Sequence, residues 1–181
     1  MMYQDRTEAG RRLAELVARG VSGRVVVLAL PRGGVVVGYQ IARRLPAPLE
    51  VIVARKLGAP GQEEFGFGAI APDGVRVIDQ ASVRMLGITH QQVEAIVARE
   101  TAEMQRREAL YRRGRDRLSV RGATAILVDD GVATGVTARA AIRAIRLWAP
   151  DWVVMAVPVA PPDTARTLAH EVDEFICQQW K

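Results

Sequence analysis

Ile126-Leu-Val-Asp-Asp-Gly-Val-Ala-Thr-Gly-Val-Thr137, continued by Ala138 to Trp148, decides how this chain is read. The apolar run Ala123 to Val128 predicts a buried parallel strand, covered on both faces. It leads into two adjacent carboxylates, a short loop of small and hydroxylated residues, and then a helical pattern. Open α/β sheets place their ligands at strand ends of this kind. Gly131 and Gly135 let the backbone turn sharply and approach a ligand with no Cβ in the way. Thr134 and Thr137 add hydroxyl donors beside the N–H groups that open the helix, and such a helix start is an anion site. A phosphate fits the loop. Asp129 and Asp130 suit the hydroxyls of a sugar bearing that phosphate, with a divalent cation nearby.

A second strand–loop–helix unit lies upstream. Arg24 to Leu30 is a Val-rich strand, Pro31-Arg-Gly-Gly34 a loop, and Val35 to Leu45 a helical run. Two glycines offer consecutive N–H groups, and Arg32 brings a rigid fork of donors suited to phosphate. Taken alone, Pro-Arg-Gly-Gly is a turn with a solvent-exposed arginine. Paired with the Asp129 stretch, it reads as the other half of a site.

Asp-Asp-x-x-x-Thr-Gly-x-Thr after an apolar strand resembles the phosphoribosyl-pyrophosphate (PRPP) motif of type I phosphoribosyltransferases. No lysine follows the glycine as in the P-loop, and the pattern is not the dinucleotide-binding fingerprint. The resemblance implies an α/β, Rossmann-like three-layer sandwich. Its parts are a central parallel sheet of about five strands, a β-hairpin flap and a helical insertion over 79–118, in one domain spanning 1–181. It implies an enzyme, a pentosyltransferase that moves a 5-phosphoribosyl group from PRPP to a nucleobase or other nitrogen acceptor, releasing pyrophosphate. Gly131, Val132, Ala133, Thr134, Gly135, Val136 and Thr137 then carry the 5-phosphate. Pro31, Arg32, Gly33, Gly34 and Lys56 carry the pyrophosphate, and Asp129, Asp130, Arg32 and Lys56 take the catalytic roles. Mg²⁺ is the implied cofactor, reached by Asp129 and Asp130 only through substrate and water. A homodimer is the implied assembly.

The family's mobile loop, which shields a reactive sugar cation from water, is resembled by Arg55, Lys56 and the Gly-rich stretch to Glu64. Arg55-Lys-Leu-Gly-Ala-Pro-Gly61 and Val157-Pro-Val-Ala-Pro161 resemble a less characterised branch, whose members usually run on past Trp180-Lys181. In enzymes of 6-oxopurines, the position of Ala133 carries an aspartate serving the purine. Alanine here is as in adenine-type members, and it leaves Glu63 or Glu64 as candidate bases and the acceptor unassigned.

The remaining segments follow from periodicity and punctuation. Asp5 to Arg19 predicts a helix with one buried face, ended by Gly20 and Gly23. Pro46-Ala-Pro48 precedes a strand over Leu49 to Ala54, and Leu57 to Glu64 reads as a loop. Phe65 to Ala71 and Val75 to Ile78 flank Pro72-Asp-Gly74 as a hairpin, with Phe65 and Phe67 on one face. Gln80 to Leu86 is a short helix. Thr89 caps a long one, His90 to Arg113, with Val93, Ile96, Val97, Met104 and Leu110 on its apolar side. Val153 to Val157 predicts a strand ending at Pro158, Pro161-Pro162 opens a helix through Ala169, and Asp173 to Cys177 is a final edge strand.

Composition bounds the alternatives. At 181 residues, 49% hydrophobic and 25% charged, the chain suits one globular domain. No apolar run approaches the ~20 residues needed to span a bilayer. Met1 to Arg12 is polar and of mixed charge, which argues against a signal peptide. The lone Cys177 fits a reducing cytosol, and His90 and His170 make no zinc pattern. Of the net charge of +5, Arg99 to Arg121 supplies +4, from eight arginines against four acids. Such a run suits nucleic acid, a solvated helix face or a basic rim, and only Tyr111 interleaves with it, which argues against single-strand binding. Besides the transferase, two readings stay open. One is a PRPP- or nucleotide-sensing regulator on the same fold, and the other an RNA-binding protein using the arginine-rich helix.

Overall fold

The structure is a computed structural model that describes residues 3–180. In chain order its elements are α1 (Arg6–Gly20), β1 (Val25–Ala29), α2 (Gly33–Arg44), β2 (Leu49–Val51), β3 (Arg55–Ala59), β4 (Gln62–Ala71) and β5 (Val75–Ile78). There follow α3 (Gln80–Met85), α4 (His90–Arg112), β6 (Thr124–Val128), α5 (Val136–Leu147), β7 (Trp152–Ala160), α6 (Pro162–Ala169) and β8 (Glu174–Trp180). Five strands form one parallel sheet in the order β2-β1-β6-β7-β8, and β3, β4 and β5 form a separate antiparallel sheet.

The doubly apolar strands are explained by what covers them. Along β1, Val26 and Leu28 point into one core, which they share with Ala141, Ile142 and Ile145 of α5 and Leu168 of α6. Val25 and Val27 point the other way, against Leu13 and Val17 of α1 and Val37 and Ile41 of α2. Strand residues alternate between faces, so a strand buried on both must be apolar throughout. A third core joins the antiparallel sheet to the long helix through Leu57, Phe67, Ile70, Val93, Ile96 and Met104. The predicted three layers are therefore present, and α3 and α4 occupy the stretch read as a helical insertion.

Several boundaries differ from the sequence reading. The stretch Leu57 to Glu64 is not a loop. It is most of a hairpin, turning at Pro60-Gly61, where Gly61 has a φ of 72°. Gly58 permits it, because a Cβ there would lie 2.5 Å from the Glu63 carbonyl across the pair. The register shifts on both sides of Gly58, and the start of β4 projects beyond the core. Phe65 is consequently 53% exposed, while Phe67 is buried. Leu110, placed on the apolar side of α4, is 62% exposed, because burial on that helix ends at Met104. The strand predicted over Leu49 to Ala54 pairs only to Val51. β7 runs through Pro158 to Ala160. Its pairing with β6 has already ended at Ala156, so the missing N–H of Pro158 costs no bond on that side.

The arginine-rich helix is largely neutralised from within. Glu103 accepts from both Arg106 and Arg107, which hold its carboxyl down to about 2. Arg112 pairs with Glu108 and Glu50, and Arg55 with Glu100. After the helix, Arg117 lies over the Trp148 ring at 4.0 Å, and both donate to Asp73 in the β4–β5 turn. Among the described residues no helix is long and apolar enough to cross a membrane.

The N-terminus of α4 carries a complete capping box: Gln92 N–H donates to Thr89 Oγ1 (3.1 Å), and Thr89 N–H to Gln92 Oε1 (2.9 Å). Thr89→Ala removes one partner. It is expected to lower stability by about 1 kcal/mol in urea denaturation. A change within about ±0.5 kcal/mol, the scatter of a neutral surface substitution, would mean the cap contributes nothing here.

Candidate active site

The two loops singled out in the sequence meet at one edge of the parallel sheet. β1 and β6 are neighbours, with Ala29 level with Val128, so their chains leave the sheet side by side. Leu30 N–H then donates to Val128 O at 3.0 Å. Beyond that bond the loops touch. A Cβ on Gly33 would lie 1.9 Å from Asp130 Oδ2, and a Cβ on Gly34 would lie 2.8 Å from Val128 O and 3.2 Å from Asp129 Cα. Both glycines are thus required by the opposite loop, not only by a ligand. They also belong to α2, which begins at Gly33, where no side chain caps the exposed N–H groups. Pro31 is half-buried, the Pro31–Arg32 peptide is cis, and Arg32 projects into solvent.

On the other side, Gly131 to Thr137 forms the turn into α5. Gly135 adopts a φ of 78° as the N-cap, a left-handed conformation that favours glycine, and has no side chain to satisfy the first N–H groups. Gly131 differs. Its φ is not positive, and a Cβ there would meet only Val159 O at 3.7 Å, so the protein itself leaves that side open. Ala133 and Thr134 are exposed, Val132 and Val136 half-buried. Among the described residues no protein group engages the hydroxyls of Thr134 or Thr137. Free hydroxyls, free N–H groups and the positive end of a 12-residue helix make an anion cradle. Thr164 of α6 braces it, donating from Oγ1 to Ala133 O at 2.7 Å.

The two carboxylates have unlike surroundings. Asp129 Oδ1 accepts the Asp130 N–H at 2.8 Å, yet burial pushes its carboxyl up to about 7, with the Asp130 charge adding to the rise. Asp130 is more open and accepts from Arg6 Nε at 2.7 Å. Arg6, at the start of α1, was not among the sequence-read candidates. It carries no local motif, and its partner is 124 residues away. α1 delivers it because its first turn lies at this sheet edge. Asp5 caps the helix, and Tyr3 donates to Gln178 Oε1 of β8 (2.7 Å) and contacts Pro158 O of β7 (3.3 Å).

Lys56 stands apart from the Asp130–Gly33 contact. Its ammonium donates to Glu64 O at 3.3 Å, and its stem crosses Gly66, where a Cβ would be 2.3 Å from Cε. It lines a cavity of about 680 Å³ between the antiparallel sheet and α5, together with Glu64, Phe65, Asp79, Thr134 and Arg139. Lys56 and Glu64 therefore face the phosphate-loop residue Thr134 across open space, whereas Arg32, Asp129 and Asp130 are not on its walls. Among the described residues no three acidic, His or Cys side chains are grouped as metal ligands.

Comparison with known proteins agrees with this geometry. A curated Mycobacterium tuberculosis protein, provisionally named a phosphoribosyl transferase, is 46% identical over 176 residues, 97% of this chain. The chain spans only 40% of that relative's length. The crystal structure of TT1426 from Thermus thermophilus superposes with a TM-score of 0.81 at 39% identity, covering 100% of this chain and 86% of that one. A purine phosphoribosyltransferase from Pyrococcus horikoshii shares the fold, with a TM-score of 0.56 at 14% identity, covering 99% of this chain and 87% of that one. The phosphoribosyl transferase domain matches residues 3–181, and with two glycine-containing loops touching at the tips of neighbouring parallel strands, the chain belongs to that family.

Proposed function

We propose that the chain binds PRPP across the two touching loops and transfers its 5-phosphoribosyl group to a nitrogen acceptor, releasing pyrophosphate. The observation that carries this reading is the contact of Gly33 with the Asp130 carboxylate, which brings a candidate pyrophosphate loop against a candidate ribose-binding pair. The 5-phosphate lies on Gly131 to Thr137. The ribose hydroxyls donate to Asp129 and Asp130, and the pyrophosphate lies on the N–H groups of Gly33 and Gly34 beside Arg32. Departure of pyrophosphate leaves positive charge on the sugar carbon. Two carboxylates near that carbon and donors around the leaving group stabilise the charge separation, and fixed placement supplies the rest. Among the described residues no carboxylate cluster would cage Mg²⁺, so substrate oxygens and water near Asp129 and Asp130 would hold it, and it would supply positive charge to offset the pyrophosphate. Lys56, on the projecting hairpin, reaches the pyrophosphate only when that hairpin closes. Glu64 lines the same cavity and is the better placed of the two candidate bases.

The RNA reading loses ground, because the arginines of α4 are paired with Glu100, Glu103, Glu108 and Glu50. A transferase and a PRPP sensor are separated by mixing the chain with PRPP, Mg²⁺ and a panel of nucleobases and other nitrogen acceptors. Pyrophosphate release and a new phosphoribosylated mass are expected with at least one acceptor. PRPP binding without release for any of them would leave the sensor reading instead.

A further inference from the structure

We propose that Arg6 is an exchange residue. It holds Asp130 in the free chain and passes to the pyrophosphate when the sugar hydroxyls take Asp130. This inference rests on the PRPP reading above and adds a residue to it. Arg6 Nε is 2.7 Å from Asp130 Oδ2 and 3.0 Å from the position a Cβ would take on Gly33. The guanidinium therefore stands where the two loops meet, against the carboxylate on one side and the start of α2 on the other. Only Nε is engaged among the described residues, and the side chain is 63% exposed, so both terminal nitrogens are available to a ligand.

The base of the arm is fixed and its head is not. Asp5 caps α1 immediately before Arg6, and Tyr3 ties the preceding segment to Gln178. From that anchor the side chain needs only a rotamer change to move from one loop to the other. The exchange is favoured by charge. An exposed ion pair with a single carboxylate is weak and screened. A pyrophosphate presents several anionic oxygens in the geometry a guanidinium fork matches. A sugar hydroxyl in turn needs Asp130 as a free acceptor, and Arg6 competes for that same oxygen. Arg6 thus opposes binding of the sugar and favours binding of the pyrophosphate, an opposition that a purely structural arginine would not produce.

The test is calorimetric titration of the wild type, Arg6→Ala and Arg6→Lys with two ligands, PRPP and ribose 5-phosphate, each with Mg²⁺. Arg6→Ala is expected to weaken PRPP binding about tenfold, as for loss of a charged hydrogen bond. The same variant should bind ribose 5-phosphate at least as tightly as the wild type. Arg6→Lys, which keeps the charge without the fork, should fall between them for PRPP. Equal weakening of both ligands would reduce Arg6 to a structural part, and no change in either would remove it from the site. Both results overturn the exchange but leave the PRPP reading standing. A wild-type chain that binds neither ligand would overturn both.

Discussion

Alanine at position 33 is expected to abolish PRPP binding while leaving the fold nearly intact. The added methyl would lie 1.9 Å from Asp130 Oδ2 and 2.3 Å from its Cγ, far inside van der Waals contact. The obstructing group is the far end of a half-exposed side chain, so the carboxylate can swing away at modest cost to stability. In moving, it leaves both Arg6 and the place where, in the proposed site, a ribose hydroxyl would meet it. Misplacement of a binding group by about 1 Å costs on the order of 100-fold in rate, and turnover should fall at least that far. Gly34→Ala is the informative contrast. Its methyl would meet Val128 O at 2.8 Å and Asp129 Cα at 3.2 Å, which are backbone atoms. Relief there must disturb the Leu30–Val128 hydrogen bond, so that variant should lose stability as well as binding. Wild-type PRPP affinity in Gly33→Ala would contradict the placement of Asp130 in the site.

Asp129→Asn should stabilise the protein at pH 8 and cripple binding. The Asp129 carboxyl is raised from an ordinary 3.8 to about 7, chiefly by burial. Between those two values the folded chain holds a proton that the unfolded chain has lost, so this group makes stability fall as pH rises through that window. Above pH 7 the full cost of a buried carboxylate is present, and asparagine removes it. A gain of roughly 1–3 kcal/mol at pH 8 is expected from a shift of this kind, shrinking to nothing at pH 4. Binding runs the other way. Sugar hydroxyls donate to the ionised form, so wild-type PRPP affinity should rise with pH up to about 7 and then level. Asp129→Asn should lack that rise, and the difference between the two profiles cancels titration of PRPP itself. A variant less stable than the wild type at pH 8 would show that burial does not strain Asp129, and parallel pH profiles would show that it is not the acceptor.

Much of the fold was legible because its signals are local. Val25 to Ala29 and Ala125 to Val128 are apolar without alternation, which a strand can be only when both faces are covered. Thr89 announced the start of α4, and Pro72-Asp-Gly74 the β4–β5 turn. What escaped depends on partners distant in sequence. Gly33 and Gly34 read as phosphate contacts, yet the atoms that forbid a side chain there belong to Val128, Asp129 and Asp130. Arg6 gave no signal, being one arginine of 23 until α1 brings it to Asp130. The Arg55–Ala59 strand was hidden by Gly58 and Pro60, which ordinarily mark loops. Here Gly58 serves close contact between strands, and Pro60 sits at the turn.

Calorimetric titration of the wild-type chain with PRPP and Mg²⁺, beside the same titration of Gly33→Ala, tests the shared site most directly. Saturable heat with a dissociation constant at or below about 1 mM, lost in the variant, is the predicted result. No heat with the wild type, or heat that Gly33→Ala leaves unchanged, would contradict it.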